Sequence, residues 1–203
     1  MKVLEREVVL KSLVGSHNYG LANEESDKDY KVFIVPTFEE LYKGERFSKS
    51  IITPTEDNDI HDIRKLTDLL YKANINFLEV LASNDIIVPK GNPEILEILG
   101  MKDEIFKMNL PYLYDACLGM HYNKIKQLTK GTEGTQHLVD MYGYDTKQAT
   151  HAYRIINFIE KYESTNFEDF TGSLKYDGAE RDFILSIRHG LMTLEEYDRF
   201  IRV

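Results

Sequence analysis

The most informative segment of this chain covers residues 14–35 and reads VGSHNYGLANEESDKDYKVFIV. An apolar run over residues 8–14 precedes Gly15 and Ser16, and its composition predicts a strand. Residues 30–35 (YKVFIV) form another short β-type run that a proline ends, which predicts a second strand. The segment therefore reads as strand, Gly-Ser turn, short connection and strand.

Two acidic residues, Asp27 and Asp29, lead directly into the second strand. Alternate residues of a strand project to the same face, so these two carboxylates point the same way. Carboxylates placed this close favour a cation between them. Mg²⁺ is typically held by one or two carboxylates together with substrate phosphates. The spacing therefore predicts a site for Mg²⁺ or Mn²⁺.

Gly15 and Ser16 have the residue types of a phosphate-binding turn, which is the other part of a nucleotide site. Glycine lets the backbone approach a ligand closely, and a serine with neighbouring N–H groups at a helix start can hold a phosphate. A phosphate-binding turn beside a metal site is the combination that nucleotidyl transfer requires.

Outside this segment, the first half of the chain alternates short strands and helices. Thr37 is expected to cap a helix over residues 37–42, and Asp62 to cap an amphipathic helix over residues 62–73. The remaining expected elements are strands at 47–53 and 57–61, with mixed helix and strand at 77–81, 86–88 and 93–99.

The second half of the chain is predicted to be helical almost throughout. The expected helices are residues 111–130, 145–162, 178–189 and 193–202. The sequence thus predicts an α+β fold, with a head of short mixed sheet and flanking helices followed by an all-helical part. We expect a catalytic core over residues 1–108 and a helical region over residues 109–203.

Composition excludes several classes of protein. The chain has 203 residues, a net charge of −9 and one cysteine, Cys117, so disulfide scaffolds and four-cysteine zinc sites are excluded. A protein that holds duplex DNA mainly through phosphate neutralisation would carry a basic face. The nearest basic cluster, Lys124, Lys126 and Lys130, is interpreted as a solvated helix face. No apolar run approaches the ~20 residues that span a bilayer, and the N-terminus has no signal-peptide pattern. We expect a soluble, cytoplasmic protein with no membrane partner.

The strand, Gly-Ser, Asp-x-Asp pattern resembles the nucleotidyltransferase superfamily of DNA polymerase β. Within that superfamily, residues 15–20 (GSHNYG) and 26–29 (SDKD) are similar to predicted nucleotidyltransferases associated with RNA ligases. Two further blocks support the narrower resemblance: residues 59–66 (DIHDIRKL) with Asn74 and the LEVL of residues 78–81, and residues 142–154 (YGYDTKQATHAYR).

The resemblance implies roles for further residues. Lys147, His151 and Arg154 fall at i, i+4 and i+7 on one helix face, and the family signature around them implies that they bind the nucleotide. Tyr19 is expected to border the nucleotide, with a core position as the alternative.

A third carboxylate is implied on a strand beside the Asp-x-Asp strand. The candidates are Asp57, Asp59 and Asp62, and the family comparison favours Asp59. The catalytic and metal-binding residues expected from the sequence are therefore Asp27, Asp29 and Asp59, with Asp59 also a candidate general base.

The implied activity is metal-dependent transfer of a nucleoside monophosphate from an NTP, ATP included, to a hydroxyl group, with release of pyrophosphate. RNA is the expected acceptor, in end repair or tailing. The alternatives are nucleotidylylation (AMPylation) of a protein, as in toxin–antitoxin nucleotidyltransferases, and a non-catalytic nucleotide-binding module.

Overall fold

The computed structural model describes residues 1–24 and 26–201 of the chain. Within these ranges, a mixed sheet with flanking helices is accompanied by a helical remainder. This confirms the α+β fold class predicted from the sequence. No helix in these ranges is both long enough and apolar enough to cross a membrane.

The chain forms two compact units. The first contains Met1–Leu113 and Glu168–Lys175, and the second contains Tyr114–Phe167 and the residues from Tyr176 onward. The predicted domains, 1–108 and 109–203, stay a prediction.

A six-stranded sheet forms the framework of the first unit. Its strands are β1 (Lys2–Val3), β2 (Arg6–Val14), β3 (Lys28–Ile34), β4 (Ser48–Ile52), β5 (Glu56–Asp62) and β6 (Ile86–Ile87). The order across the sheet is β1-β2-β3-β5-β4, and β6 pairs with β2. Strands β3 and β5 run parallel, whereas the pairs β1–β2, β2–β3, β2–β6 and β4–β5 are antiparallel. The parallel pair brings the starts of β3 and β5 to one edge of the sheet.

Seven helices complete the part of the first unit that the structure describes. They are α1 (Ser16–Tyr19), α2 (Phe38–Lys43), α3 (Ile63–Tyr71), α4 (Ile75–Leu81), α5 (Pro93–Gly100), α6 (Lys102–Lys107) and α10 (Phe170–Ser173), numbered in chain order. Both predicted caps are confirmed: Thr37 accepts a hydrogen bond from the Glu40 amide at 3.2 Å, and Asp62 accepts one from the Arg64 amide at 2.9 Å.

Residues 77–81, for which the sequence favoured mixed helix and strand, lie entirely in α4. The reason is the cap: the side chain of Asn74 accepts a hydrogen bond from the Asn76 amide at 3.1 Å and starts the helix two residues before Phe77. Every residue of α4 except Asn76 is buried, Glu79 included, so the segment lacks the one-sided apolar stripe that identifies a helix.

The two faces of the sheet have different partners. Val32, Ile34 and Ile60 contribute to an apolar cluster on one face. On the opposite face, α4 places Phe77 against Phe33, with the ring centroids 6.2 Å apart. Residues 29, 31 and 33 of β3 share this second face. Asp29, near the start of β3, therefore lies on the same face of the sheet as the core that α4 covers.

Residues 168–175 join the first unit through specific contacts. The ring of Phe170 stacks on Phe106 with centroids 3.9 Å apart, and Glu168 pairs with Lys107 at 2.9 Å. The local sequence pattern does not predict that residues 168–175 belong to the first unit.

The second unit is helical, as predicted. Its helices are α7 (Leu110–Ile125), which contains the boundary between the units, α8 (Gln136–Tyr142), α9 (Thr146–Ser164), α11 (Gly178–Arg188) and α12 (Leu194–Ile201). The predicted final helix extended to Arg202, which lies outside the described residues. Helix α8 was not predicted, because none of its residues is buried and it therefore has no apolar stripe.

Tyrosines hold the core of the second unit together. Tyr144, Ala149, Ile187 and Tyr197 form a buried cluster, and the Tyr197 hydroxyl donates to the Ala149 carbonyl at 2.8 Å. Cys117 is fully buried, and burial raises the pKa of its thiol to about 12. This confirms the interpretation of the cysteine as a small apolar residue rather than a nucleophile.

Candidate metal and nucleotide site

The parallel pairing of β3 and β5 sets the register of the acidic residues. Asp29 is the second residue of β3 and lies opposite Asp57, the second residue of β5. The amide of Lys28 donates to the Thr55 carbonyl at 3.1 Å, which joins the two strand starts. Both aspartates therefore lie at the same sheet edge and project from the same face.

Asp27, Asp29 and Asp57 form a cluster of three carboxylates. One oxygen from each lies within 4.8 Å of those of the other two. Asp27 is exposed, whereas Asp29 and Asp57 are partly buried. Oδ1 of Asp57 is buried and has no hydrogen-bond partner, and a buried carboxylate oxygen without a partner is costly. The residues present therefore fit a divalent cation with oxygen ligands.

Gly15 lies against this cluster at the end of β2. Its φ is +73° and its ψ is −149°, a conformation that essentially only glycine adopts. A Cβ placed on it would come 2.5 Å from Oδ2 of Asp29. The Gly15 amide is directed at Oε2 of the buried Glu79, at 3.5 Å. Glycine is thus required here both for the turn and for room beside Asp29.

The short helix α1 and the loop after it connect Gly15 to Asp27. Nε2 of His17 lies 3.1 Å from the carbonyl oxygen of Ser26, next to Asp27. The Asn18 side chain is buried, and its Oδ1 accepts from the Asn84 amide at 3.3 Å. These contacts fix the loop that presents Asp27.

Ser16 and Tyr19 differ in their access to a ligand. Ser16 is partly exposed at the start of α1, where the sequence placed it. Tyr19 is only 3% exposed, so its ring has no open face on which a nucleotide could stack. The structure favours the core position for Tyr19, and we do not include it in the proposed site.

Asp59 does not join the cluster, in contrast to the sequence-based choice of third carboxylate. It lies two residues after Asp57 on β5, opposite Lys31. Its Oδ2 lies 2.8 Å from Nε2 of His61 and 3.4 Å from the Lys31 ammonium, and its Oδ1 accepts from Ser50 at 3.1 Å. The hydrogen bond with His61 and the charge of Lys31 hold the pKa of Asp59 below its usual value, against the opposing effect of burial. Asp59 is thus engaged by protein partners, whereas Asp57 lies in the cluster; the role of Asp59 as a metal ligand stays a prediction.

The sequence contained a signal for Asp57. Parallel strands present the same end at one edge of a sheet, so an acid near the start of β3 should face an acid near the start of β5. Asp57 fits that rule and Asp59 does not. The alternation of Asp59 with His61 on one strand face was predicted correctly, although it belongs to a neighbouring network.

The remaining predicted nucleotide-binding residues, Lys147, His151 and Arg154, lie on α9 in the second unit. Oδ1 of Asp145 accepts a hydrogen bond from the Gln148 amide at 3.0 Å and caps the start of this helix. The role of the three basic residues in nucleotide binding stays a prediction.

Comparisons with known proteins agree with the fold. No curated protein shows significant sequence similarity to the chain. The family described as RlaP: RNA repair pathway DNA polymerase beta family matches residues 2–203. The match covers nearly the whole sequence, including the Gly-Ser turn, the Asp-x-Asp strand and the helical second half. This chain therefore belongs to the RNA repair pathway DNA polymerase beta family.

Proposed function

We propose that this protein is a metal-dependent nucleotidyltransferase that moves a nucleoside monophosphate from an NTP to a hydroxyl group of RNA. The family assignment supports a nucleotidyltransferase-like role in an RNA repair pathway. The observation that carries the finer proposal is the convergence of Asp27, Asp29 and Asp57 beside Gly15.

The cluster is suited to hold Mg²⁺ or Mn²⁺. When bound, the metal would supply positive charge to the phosphates of the nucleotide and to the charge that develops at the α-phosphorus. Asp29 and Asp57, fixed by the strand register, would hold it rigidly, and Asp27 would complete the set from the preceding loop. A cation held by the three carboxylates would also explain how an acidic chain binds an acidic substrate. Its positive charge would offset the negative charge of the protein and of the phosphates.

We assign the phosphate cradle to Gly15 and Ser16. Gly15 keeps the backbone free of a side chain beside Asp29, and the Ser16 hydroxyl would donate to a phosphate oxygen. The turn would thereby hold the triphosphate against the cluster.

The reaction forms one bond and breaks one. The oxygen of the acceptor hydroxyl attacks the α-phosphorus, the bond from that phosphorus to the bridging oxygen of the β-phosphate breaks, and pyrophosphate leaves with the electron pair. The proton of the hydroxyl is released to water. Both oxygens of Asp59 already have partners, so we do not assign Asp59 the role of general base.

Incubation with each α-labelled NTP, Mg²⁺ or Mn²⁺, and either pooled RNA or total protein tests the proposal. We expect label on RNA, and a loss of rate on the order of 10²–10⁴ for Asp29→Asn and Asp57→Asn. Label on protein would instead establish the nucleotidylylation alternative. NTP binding without any label transfer would establish a binding module.

A further inference from the structure

A set of polar side chains shares the sheet face of Asp29 and Asp57 without belonging to the acidic cluster. In the next same-face position along the strands, Lys31 of β3 lies opposite Asp59 of β5, and Asp59 lies opposite Ser50 of β4. Two residues of a strand span about 6.6 Å, which is the distance along the strands from Asp29 and Asp57 to this position. With the following position and one residue of α3 included, we call the set the polar row; its members are Lys31, Ser48, Ser50, Asp59, His61 and Lys65.

His61 determines which donors of the polar row are satisfied. Its ring is buried, Nε2 lies 2.8 Å from Oδ2 of Asp59, and Nδ1 lies 3.1 Å from Nζ of Lys65. An ammonium group only donates, so Nδ1 accepts and Nε2 carries the proton that is donated to Asp59. The Ser48 hydroxyl also lies 3.0 Å from Nδ1. Because Nδ1 has a single lone pair, Lys65 and Ser48 compete for it, and a donor remains for a ligand.

The polar row carries one net positive charge. Lys31 and Lys65 are cationic and Asp59 is anionic, and His61 is neutral when its proton is on Nε2. Lys31 pairs with Asp59 at 3.4 Å, whereas within residues 1–24 and 26–201 no ion pair involves Lys65. Burial lowers the pKa of Lys65; the charge of Asp59 opposes this effect and the charge of Lys31 adds to it. The ammonium of Lys65 is therefore a partly desolvated cation in contact with a neutral histidine.

The polar row is open to a ligand on the side of the edge strand β4. Ser48 and Ser50 are exposed on this strand. On the inner side, the ammonium groups of Lys31 and Lys65 lie over the ring of Phe77, with Nζ 5.0 and 5.7 Å from its centroid. The two cations are thus held in place beneath an accessible pair of hydroxyl groups.

We propose that the polar row binds the phosphodiester that precedes the reacting 3′-hydroxyl of an acceptor RNA, through Lys31, Lys65 and the hydroxyl of Ser48. One net positive charge matches the single negative charge of a phosphodiester, and lysine suits a phosphate as a point charge. The spacing also fits, because one sugar separates a 3′-hydroxyl held at the acidic cluster from the phosphate of the same nucleotide. The inference rests on the proposed function, and it adds the part of the acceptor that the protein recognises. Phosphate contacts of this kind position a strand without reading its sequence.

Fluorescence anisotropy with dye-labelled hexauridylate, in Mg²⁺ and without NTP, tests the site without requiring transfer. One oligonucleotide carries a neutral methylphosphonate at the 3′-terminal linkage, a second carries it at the 5′-terminal linkage, and a third is unmodified. In all three, the sugar before each of these two linkages is 2′-O-methylated, which prevents cleavage. We expect the wild type to bind the 3′-modified RNA about tenfold or more weakly than the unmodified RNA, and to bind the 5′-modified RNA as the unmodified one.

Variants of two lysines assign the effect to the polar row. Lys65→Met should weaken binding of the unmodified RNA by a similar factor, and the 3′-terminal methylphosphonate should then cause no further loss. Lys65→Arg should recover part of the affinity, which a loss of fold could not explain. Lys49→Met is the matched control, since Lys49 is an exposed lysine of β4 that lies opposite Ile60 and therefore on the other face of the sheet. It should bind all three oligonucleotides as the wild type does.

Three results would overturn the inference. The first is no measurable binding of the unmodified RNA by the wild type. The second is equal affinity of the wild type for the unmodified and the 3′-modified RNA. The third is a methylphosphonate effect of the same size in the wild type and in Lys65→Met, which would mean that another part of the protein contacts this linkage.

A transfer assay with the same unmodified RNA separates this inference from the proposed function. We expect Lys65→Met to raise the Michaelis constant for RNA and to leave that for NTP unchanged. If label is transferred to RNA with equal Michaelis constants for RNA in the wild type and Lys65→Met, only the assignment of the polar row is wrong. If RNA binding depends on Lys65 and on the 3′-terminal linkage but no NTP is ever used, only the proposed function is wrong.

Discussion

Gly15 and Asp29 are in direct contact: an added Cβ on Gly15 would come within 2.5 Å of Oδ2 of Asp29. The contact follows from the register, since Val14 pairs with Asp29 in the antiparallel ladder of β2 and β3. The pairing of β2 and β3 therefore holds the turn at Gly15 beside the Asp29 carboxylate.

Substitution of Gly15 should damage the metal site as well as the fold. In Gly15→Ala, the methyl group would displace the Asp29 carboxylate, so we expect loss of Mn²⁺ binding, measured by electron paramagnetic resonance, and loss of transfer activity. Gly44→Ala is the matched control, because Gly44 also has a positive φ, +70°, but has no atom within 4 Å of the added Cβ. The control should lose about 1 kcal/mol of stability and keep Mn²⁺ binding. Equal Mn²⁺ affinity in the two variants would contradict the contact.

The third carboxylate can be identified by comparing Asp57→Asn with Asp59→Asn. A ligand that binds the folded state raises the melting temperature. We expect Mn²⁺ to raise the melting temperature of the wild type and of Asp59→Asn, and to leave that of Asp57→Asn nearly unchanged. The reverse order for the two variants would restore the sequence-based choice of Asp59.

Ser16 should distinguish nucleotides by the length of their phosphate chain. Loss of one hydrogen bond to a charged group costs about 1.5–3 kcal/mol, so Ser16→Ala should weaken NTP binding by that amount and NMP binding by less. Fluorescence titration with labelled NTP and NMP measures both. Identical losses for the two ligands would show that Ser16 serves only the fold.

The ion pair between Arg6 and Glu40 should make stability depend on pH. The hydrogen bonds from Arg6, followed by those from Thr37, lower the pKa of Glu40 to about 2. Because the folded-state pKa is lowered, the stabilisation is complete above about pH 4.5 and is lost as the pH falls toward 2. Urea unfolding of the wild type and Glu40→Gln should show a difference that is constant above pH 5 and shrinks below it. A difference that does not change with pH would contradict this origin.

Local signals in the sequence were sufficient for most elements of the fold. Caps at Thr37 and Asp62 and the apolar periodicity of α3 fixed helices that the structure confirms. Helix α8 has no buried residue, and α4 is buried on nearly all sides; neither has the one-sided pattern that identifies a helix. Tertiary placement, not local pattern, decides such segments.

The candidate site shows the same limit. Asp27, Asp29, Gly15 and Ser16 belong to one short segment, so their spacing already implied their proximity. The choice between Asp57 and Asp59 depended on the register of β3 against β5, which is set by strands 28 residues apart in the chain. Register is a property of paired strands, so the pattern of either strand alone does not decide between the two acids; only a comparison of the two strand starts does.

The three clustered carboxylates lower the stability of the metal-free protein, and the same carboxylates are the ligands of the proposed metal site. Without a cation they repel one another, so an asparagine at position 29 or 57 would make the metal-free fold more stable while it removes a ligand oxygen. A library of variants enriched only for thermal resistance should accumulate amides at these positions, and one enriched for turnover should retain the acids. At the starts of β3 and β5, the sequence of this chain is therefore not the one that would make the metal-free protein most stable.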